Sequence, residues 1–343
     1  MTTTLRPQAP AAGTRPASSR RARWRLTIPA GLAAVVAVAW PALASPYPVT
    51  VAATACAFVL LALSVHLLTA GCGLPAFGQA AYLGVGAYTA ALLANAGYQS
   101  APAQLVAAIG AAAVAGALTA PIVLRTRGTA FLMATLAVQS LAATAASQWR
   151  TVTGGDEGLP TPAAMLWPGG PLLSAPAAVY WYALAVIAAA GVVLLLLSRS
   201  GWMLTWRGIA GHEPRMAALG HHVTVQLSVA YTIAAGLAGA GGAVLVIAHQ
   251  FLSPTDLGFD VASLALLAAT IGGSNMIATA CAAVVIVAVR DGAGVSSGGA
   301  TPLLLGLLFI TAAYRRASLT ALTSLRHRAR ARLARRVRAG GRS

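Results

Sequence analysis

Ten stretches of this chain run apolar and nearly free of charge for long enough to decide what must surround it. They cover residues 27–44, 49–70, 80–96, 103–124, 129–148, 177–198, 223–248, 257–272, 276–289 and 302–314. A helix rising 1.5 Å per residue needs ~20 apolar residues to cross the hydrocarbon of a bilayer, and most of these runs come close to that. Charged side chains make up 8% of the chain, against roughly a quarter in soluble domains. The expected fold is therefore an all-α polytopic membrane protein of about ten transmembrane helices. Gly110, Gly116, Gly236, Gly239, Gly241 and Gly242 crowd the runs, as they do where helices pack closely in lipid.

The formal charge of +17 does not call for nucleic acid, because 14 of the 23 basic residues lie between Arg6 and Arg25 or between Arg326 and Arg342. That pattern suits anionic lipid and orientation in the bilayer. Three regions result: a disordered basic cytoplasmic tail at 1–26, a transmembrane domain at 27–314, and a basic tail at 315–343. The loops holding Arg125 and Arg127, Arg199 to Arg215, and Arg315 and Arg316 alternate with 45–48, 97–102, 150–176 and 250–256. Arginine gathers on the cytoplasmic side, which puts both termini in the cytoplasm. The first run follows Ser19-Arg20-Arg21 and ends Ala42-Leu43-Ala44, so it also has the form of a cleavable export signal. Cleaved or retained as an anchor, it leaves the later topology unchanged.

Every Lys/Arg position is arginine. Without lysine neither a Walker A phosphate loop nor a Schiff base can be built, so if ATP drives this protein another subunit binds it, and no cofactor is expected on this chain. Cys56, Cys72 and Cys281 are scattered and odd in number, and read as small core residues without disulfide or metal spacing.

The longest polar interruption between two strongly apolar runs is 199–222. Its second half has the signs of a short amphipathic helix: His212 or Gly211 ahead of it, Glu213 and Pro214 in its first turn, and Gly220 at its end. A basic helix lying on lipid headgroups and a surface for a cytoplasmic partner both fit. A second interruption, Gly71 to Tyr88, sits at membrane depth yet carries Pro75 and five glycines. Broken backbone at that depth must be satisfied by protein or a water-filled cavity, so this segment is a tight turn between two spans or part of a translocation path.

The residues Leu68-Thr69, Phe77-Gly78-Gln79-Ala80-Ala81 and Gly84-Val85-Gly86-Ala87-Tyr88 resemble a pattern of the branched-chain amino acid permeases of the LivM/LivH family. Ala70 and Ala76 depart from it, standing where the family has Gly and Ser. Thr135 to Gln139, Thr151-Val152-Thr153-Gly154-Gly155-Asp156-Glu157-Gly158-Leu159, and Thr270-Ile271-Gly272-Gly273-Ser274-Asn275 are similar to further segments of that family in its order. After Asn275 the match frays. Arg207 to Glu213 with Ala217-Ala218-Leu219-Gly220 resembles the family's loop that couples to ATPase subunits. The likeness spans roughly Val49 to Asp291 and is closest to LivM.

The resemblance implies a permease subunit of an ABC importer, pairing with a second, LivH-like permease, two cytoplasmic ATPases and an extracytoplasmic solute-binding protein. It implies inward movement of branched-chain or other hydrophobic amino acids, or of a related small solute such as urea. By its segments, Pro75, Gly78, Gln79, Tyr82, Gly84, Gly86 and Tyr88 line the path. Arg207, Glu213, Ala217, Ala218 and Gly220 form the cytoplasmic coupling helix. Gly154, Gly155 and Gly158, whose positive φ would leave backbone N–H groups exposed, form the loop on which the binding protein docks; a plain flexible loop is the other reading.

An ion- or proton-coupled secondary transporter is the rival, but it requires ionisable groups inside the spans, and Asp260, near the start of the eighth run, is the one acid there. Gly294 to Gly298 fits G-x-S-x-G without the strand and helix a hydrolase elbow needs. His212, His221 and His222 lack the carboxylate or thiolate that would complete a metal set. No enzymatic activity is expected.

Overall fold

The computed structural model of the protein describes residues 45–167, 169–296, 306, 307 and 310. Eight of the ten apolar runs fall there, and each is helical. In chain order the main helices are α1 (Pro46–His66), α2 (Gln79–Asn95), α3 (Ala101–Val123), α4 (Thr129–Gln148), α5 (Pro176–Arg199), α6 (Gly201–Gly211), α7 (Glu213–Ala218), α8 (Val223–His249), α9 (Phe259–Gly272) and α10 (Met276–Ser296), with a single helical turn at Arg150–Thr153 between α4 and α5. The segments 46–71, 101–123, 129–148, 176–199, 223–249 and 254–272 are each long and apolar enough to cross a membrane. The run at 27–44 and both basic tails lie outside the described residues, as do most of 302–314 and the second half of the G-x-S-x-G sequence.

Helix starts follow the proline positions: Pro46, Pro102, Pro176 and Pro214 all occupy first turns, where a missing N–H costs nothing and the fixed φ suits the helix. The described body is layered by burial. In α1 and α8, 83% of the spanning window is buried, while α3, α4 and α5 bury only 22–28%. The first two form the centre; the last three turn Leu118, Leu141, Leu196 and similar side chains outward.

What lets α8 sit in the centre is its small-residue content. A Cβ built on Gly86 of α2 would lie 2.5 Å from the backbone of Gly239, and one on Gly239 would lie 2.7 Å from the Ala108 carbonyl oxygen of α3. No side chain could be interposed, so three helices meet backbone to backbone, as the glycine count led one to expect.

The loops sort to two ends. At one, Gly73 packs against Ala210 of α6 and Arg127 bonds Glu213 of α7; this is the arm end. At the other, β1 (Leu159–Pro160) pairs antiparallel with β2 (Phe251–Leu252), and Asn95 donates to the Pro160 carbonyl at 3.2 Å. The grouping matches the alternation of arginine-bearing and arginine-poor loops. Of the cysteines, Cys56 and Cys72 are buried but Cys281 is exposed, so the core reading does not hold for Cys281, which sits on an outward face of α10.

Candidate functional site

The arm is built from two short helices. Met203, Trp206 and Ile209 of α6 are buried, three residues apart, which seats α6 against the body along one stripe. Sequence reasoning missed this helix. The signal was present as that three-residue spacing inside a stretch judged by its arginines. His212 breaks the line with φ −161° and ψ 89°, and α7 follows with none of its residues buried. The Met216 sulfur reaches to 2.9 Å from where a Cβ on Gly208 would stand, so α7 folds back on α6.

Glu213 accepts from Arg127 at both carboxylate oxygens, Nε to Oε2 and Nη2 to Oε1, each at 2.9 Å. Arg127 also donates to the Leu124 and Thr126 carbonyls. The hydrogen bonds from Arg127 hold the Glu213 carboxyl below the usual carboxylate range. It is the one ion pair among the described residues, joining the α3–α4 turn to the start of α7. Gly220 ends the arm at φ +86° with nothing within 4 Å of a built Cβ; its backbone conformation, not lack of room, calls for glycine. Arg207, Ala217, Ala218 and Leu219 are exposed.

The interruption after α1 is shorter than the Gly71–Tyr88 stretch. A π-turn at Leu67–Gly71 ends α1, and the non-helical backbone closes at Gly78. From Gln79 onward α2 is continuous through Tyr82, Gly84, Gly86 and Tyr88. The break also lies beside the arm, since Gly71 faces Met203 and Gly73 faces Ala210. Pro75 is half-buried within it, and the Phe77 N–H donates to Thr135 Oγ1 at 3.2 Å.

Beyond the break a polar belt crosses α2, α3, α4 and α8. Tyr82 donates to the Tyr231 hydroxyl at 3.0 Å and shares a hydrogen bond of 2.5 Å with Thr119. The Gln139 amide donates to the Leu257 carbonyl. Gly78 lies against Thr135 and the Tyr231 hydroxyl. Gln79 differs from all of these: it is 0% exposed, and neither its Oε1 nor its Nε2 has a partner in the protein. Gly84 is covered by the Leu257 side chain, and Tyr88 is buried with its hydroxyl unpartnered.

At the opposite end, Gly154, Gly155 and Gly158 have φ of 76°, 61° and 78°, the positive values expected of them. Their N–H groups, however, are not exposed: they donate to Arg150 O, Thr153 Oγ1 and Gly155 O. Gly158 is clamped under Phe251 and Leu252, so the segment is a pinned knot that presents the exposed acids Asp156 and Glu157. At the α9–α10 turn, Asn275 Oδ1 accepts from the Ile277 N–H at 3.1 Å. Thr279, hydrogen-bonded to His66 at 2.9 Å, fills the place a Cβ on Gly272 would take. The frayed stretch after Asn275 thus starts a helix and plugs it onto α1. Asp260 and His212, His221 and His222 are all exposed.

Over residues 47–313 the chain matches the family described as "Branched-chain amino acid transport system / permease component". No curated protein and no solved structure matches it.

Proposed function

The chain belongs to the branched-chain amino acid transport permease family, and from that membership we propose that it is the permease subunit of an ABC importer in the plasma membrane of a prokaryote. The arm end faces the cytoplasm, where two ATPase subunits grip α7. A second, LivH-like permease covers outward faces of the bundle, and an extracytoplasmic binding protein docks at the end carrying Asp156 and Glu157. Branched-chain or other hydrophobic amino acids pass inward, with a related small solute such as urea as the next candidate.

The observation that carries this reading is the mounting of α7. It is a helix with no buried residue, yet its base is fastened to α6 by Met216 and to the α3–α4 turn by a two-point Arg127–Glu213 bond. A helix that merely lay on lipid would not need such an attachment; one that transmits force does. Arg207, Ala217 and Ala218 then offer a cation and small residues to a partner groove.

Gln79 supports the path assignment. A buried amide without a partner costs about 1–3 kcal/mol, a cost that is relieved when a solute or water reaches it in another conformation. Reconstitution with candidate ATPases and binding protein tests the whole reading: labelled leucine uptake should require ATP and the binding protein and survive a protonophore. Uptake that persists without ATP and collapses with the protonophore would establish the secondary transporter instead.

A further inference from the structure

At the end opposite the arm a cavity of about 450 Å³ opens between α1, α8, α9 and α10, inside the ~300–1,000 Å³ range of small-molecule sites. Its rim and floor differ in chemistry. Asp256, His249, Arg290 and Asp291 stand at the rim with Tyr47, which is 58% exposed. Phe58, Leu83, Leu245 and Val261 line the depth, with Leu83 2% exposed.

The rim charges are not spent on one another. Asp291 accepts one hydrogen bond from the Tyr47 hydroxyl at 3.0 Å, and Asp256 accepts one from the Ser253 N–H at 3.1 Å, leaving each carboxylate an oxygen. Arg290 shares the rim with both and pairs with neither. One guanidinium and two carboxylates set around an apolar well have a complementary ligand: a molecule with an ammonium and a carboxylate on one carbon and an apolar group attached to it. Guanidinium binds a carboxylate through two parallel hydrogen bonds, and carboxylates accept well from ammonium.

Resting on the importer reading, we propose that this cavity is an intrinsic site of the permease for a zwitterionic α-amino acid with an apolar side chain. Arg290 takes its carboxylate, Asp291 with Asp256 takes its ammonium, and the side chain enters the well above Leu83. Leu83, which lines the well, follows Gln79 by four residues on α2 and so shares its flank. The site is the first stop of a solute handed over at this end.

The test is equilibrium binding of labelled leucine to the assembled transporter in nanodiscs without binding protein, with leucinamide and 4-methylpentanoate as competitors. Leucine should bind, and each analogue, lacking one charge, should bind about ten-fold more weakly or worse. Arg290→Gln should bring leucine down to the level of leucinamide while leaving leucinamide itself unchanged. Asp291→Asn should do the reverse, bringing leucine toward 4-methylpentanoate and sparing the latter. Absence of leucine binding in the wild type, or an equal loss for all three ligands in either variant, overturns the site. ATP-driven leucine uptake in the same preparation separates the two readings: uptake without intrinsic binding removes the site alone, and binding without ATP-driven uptake removes the importer reading alone.

Discussion

At the scale of single residues, Gln79 and Glu213 carry opposite lessons. Gln79 was recognisable in the sequence as a polar residue beside a glycine and a proline at membrane depth; that both its amide atoms are buried without partners depends on four helices meeting and leaves no local trace. Gln79→Leu keeps size and removes both orphan groups, so it should raise the melting temperature of the purified protein while lowering the maximal uptake rate. The isolated binding protein's affinity for solute would be unaffected. A variant that transports at the wild-type rate would make the residue ordinary packing. Glu213 was legible as a helix-start acid, but its partner Arg127 lies in another loop and was not. Because Arg127 depresses the Glu213 carboxyl, the attachment is intact above the ordinary carboxylate range and is lost as pH falls through the lowered value of the folded protein. An ion pair this exposed contributes under about 1 kcal/mol to stability, so Arg127→Gln should leave melting nearly unchanged and instead reduce solute-stimulated ATP hydrolysis. Arg127→Gln and Glu213→Gln together should cost no more than either alone. Additive losses would show that the two act separately.

At the scale of elements, what the sequence displayed best was whatever repeats locally: apolar length for the spans, proline for their starts, and Glu213, Pro214 and Gly220 for the limits of α7. What it concealed was how elements lean on each other. α6 was hidden because its buried stripe is only three side chains wide, and the Gly154–Gly158 knot because its N–H groups find carbonyl and hydroxyl acceptors that only the folded turn brings near. Gly220 gives a clean test of the arm. Leucine there must adopt a left-handed backbone at a cost of about 1–2 kcal/mol with no clash to relieve, so Gly220→Leu should insert and fold but uncouple ATP hydrolysis from uptake. Asparagine tolerates that conformation, and Gly220→Asn should retain most coupling. Equal behaviour of the two variants would count against backbone geometry as the cause.

At the scale of the whole molecule, the arginine alternation sorted the described loops correctly into two ends, since orientation is a property of charge counts rather than of contacts. Which end faces the cytoplasm is open to direct measurement. With the native cysteines removed, Glu157→Cys should react with an impermeant maleimide on intact cells and Arg215→Cys only after permeabilisation; the opposite pattern would invert the map. The Gly86–Gly239–Ala108 contact has a consequence for such a machine. Side chains at a helix interface are springs: they change rotamer and absorb small displacements before passing them on. Where main chain rests on main chain there is nothing to compress, and the joint has no backlash. Close-packed contacts of this kind transmit strain, so α2, α3 and α8 are expected to shift together, and the non-helical turn from Cys72 to Gly78 is a place where the chain could bend instead.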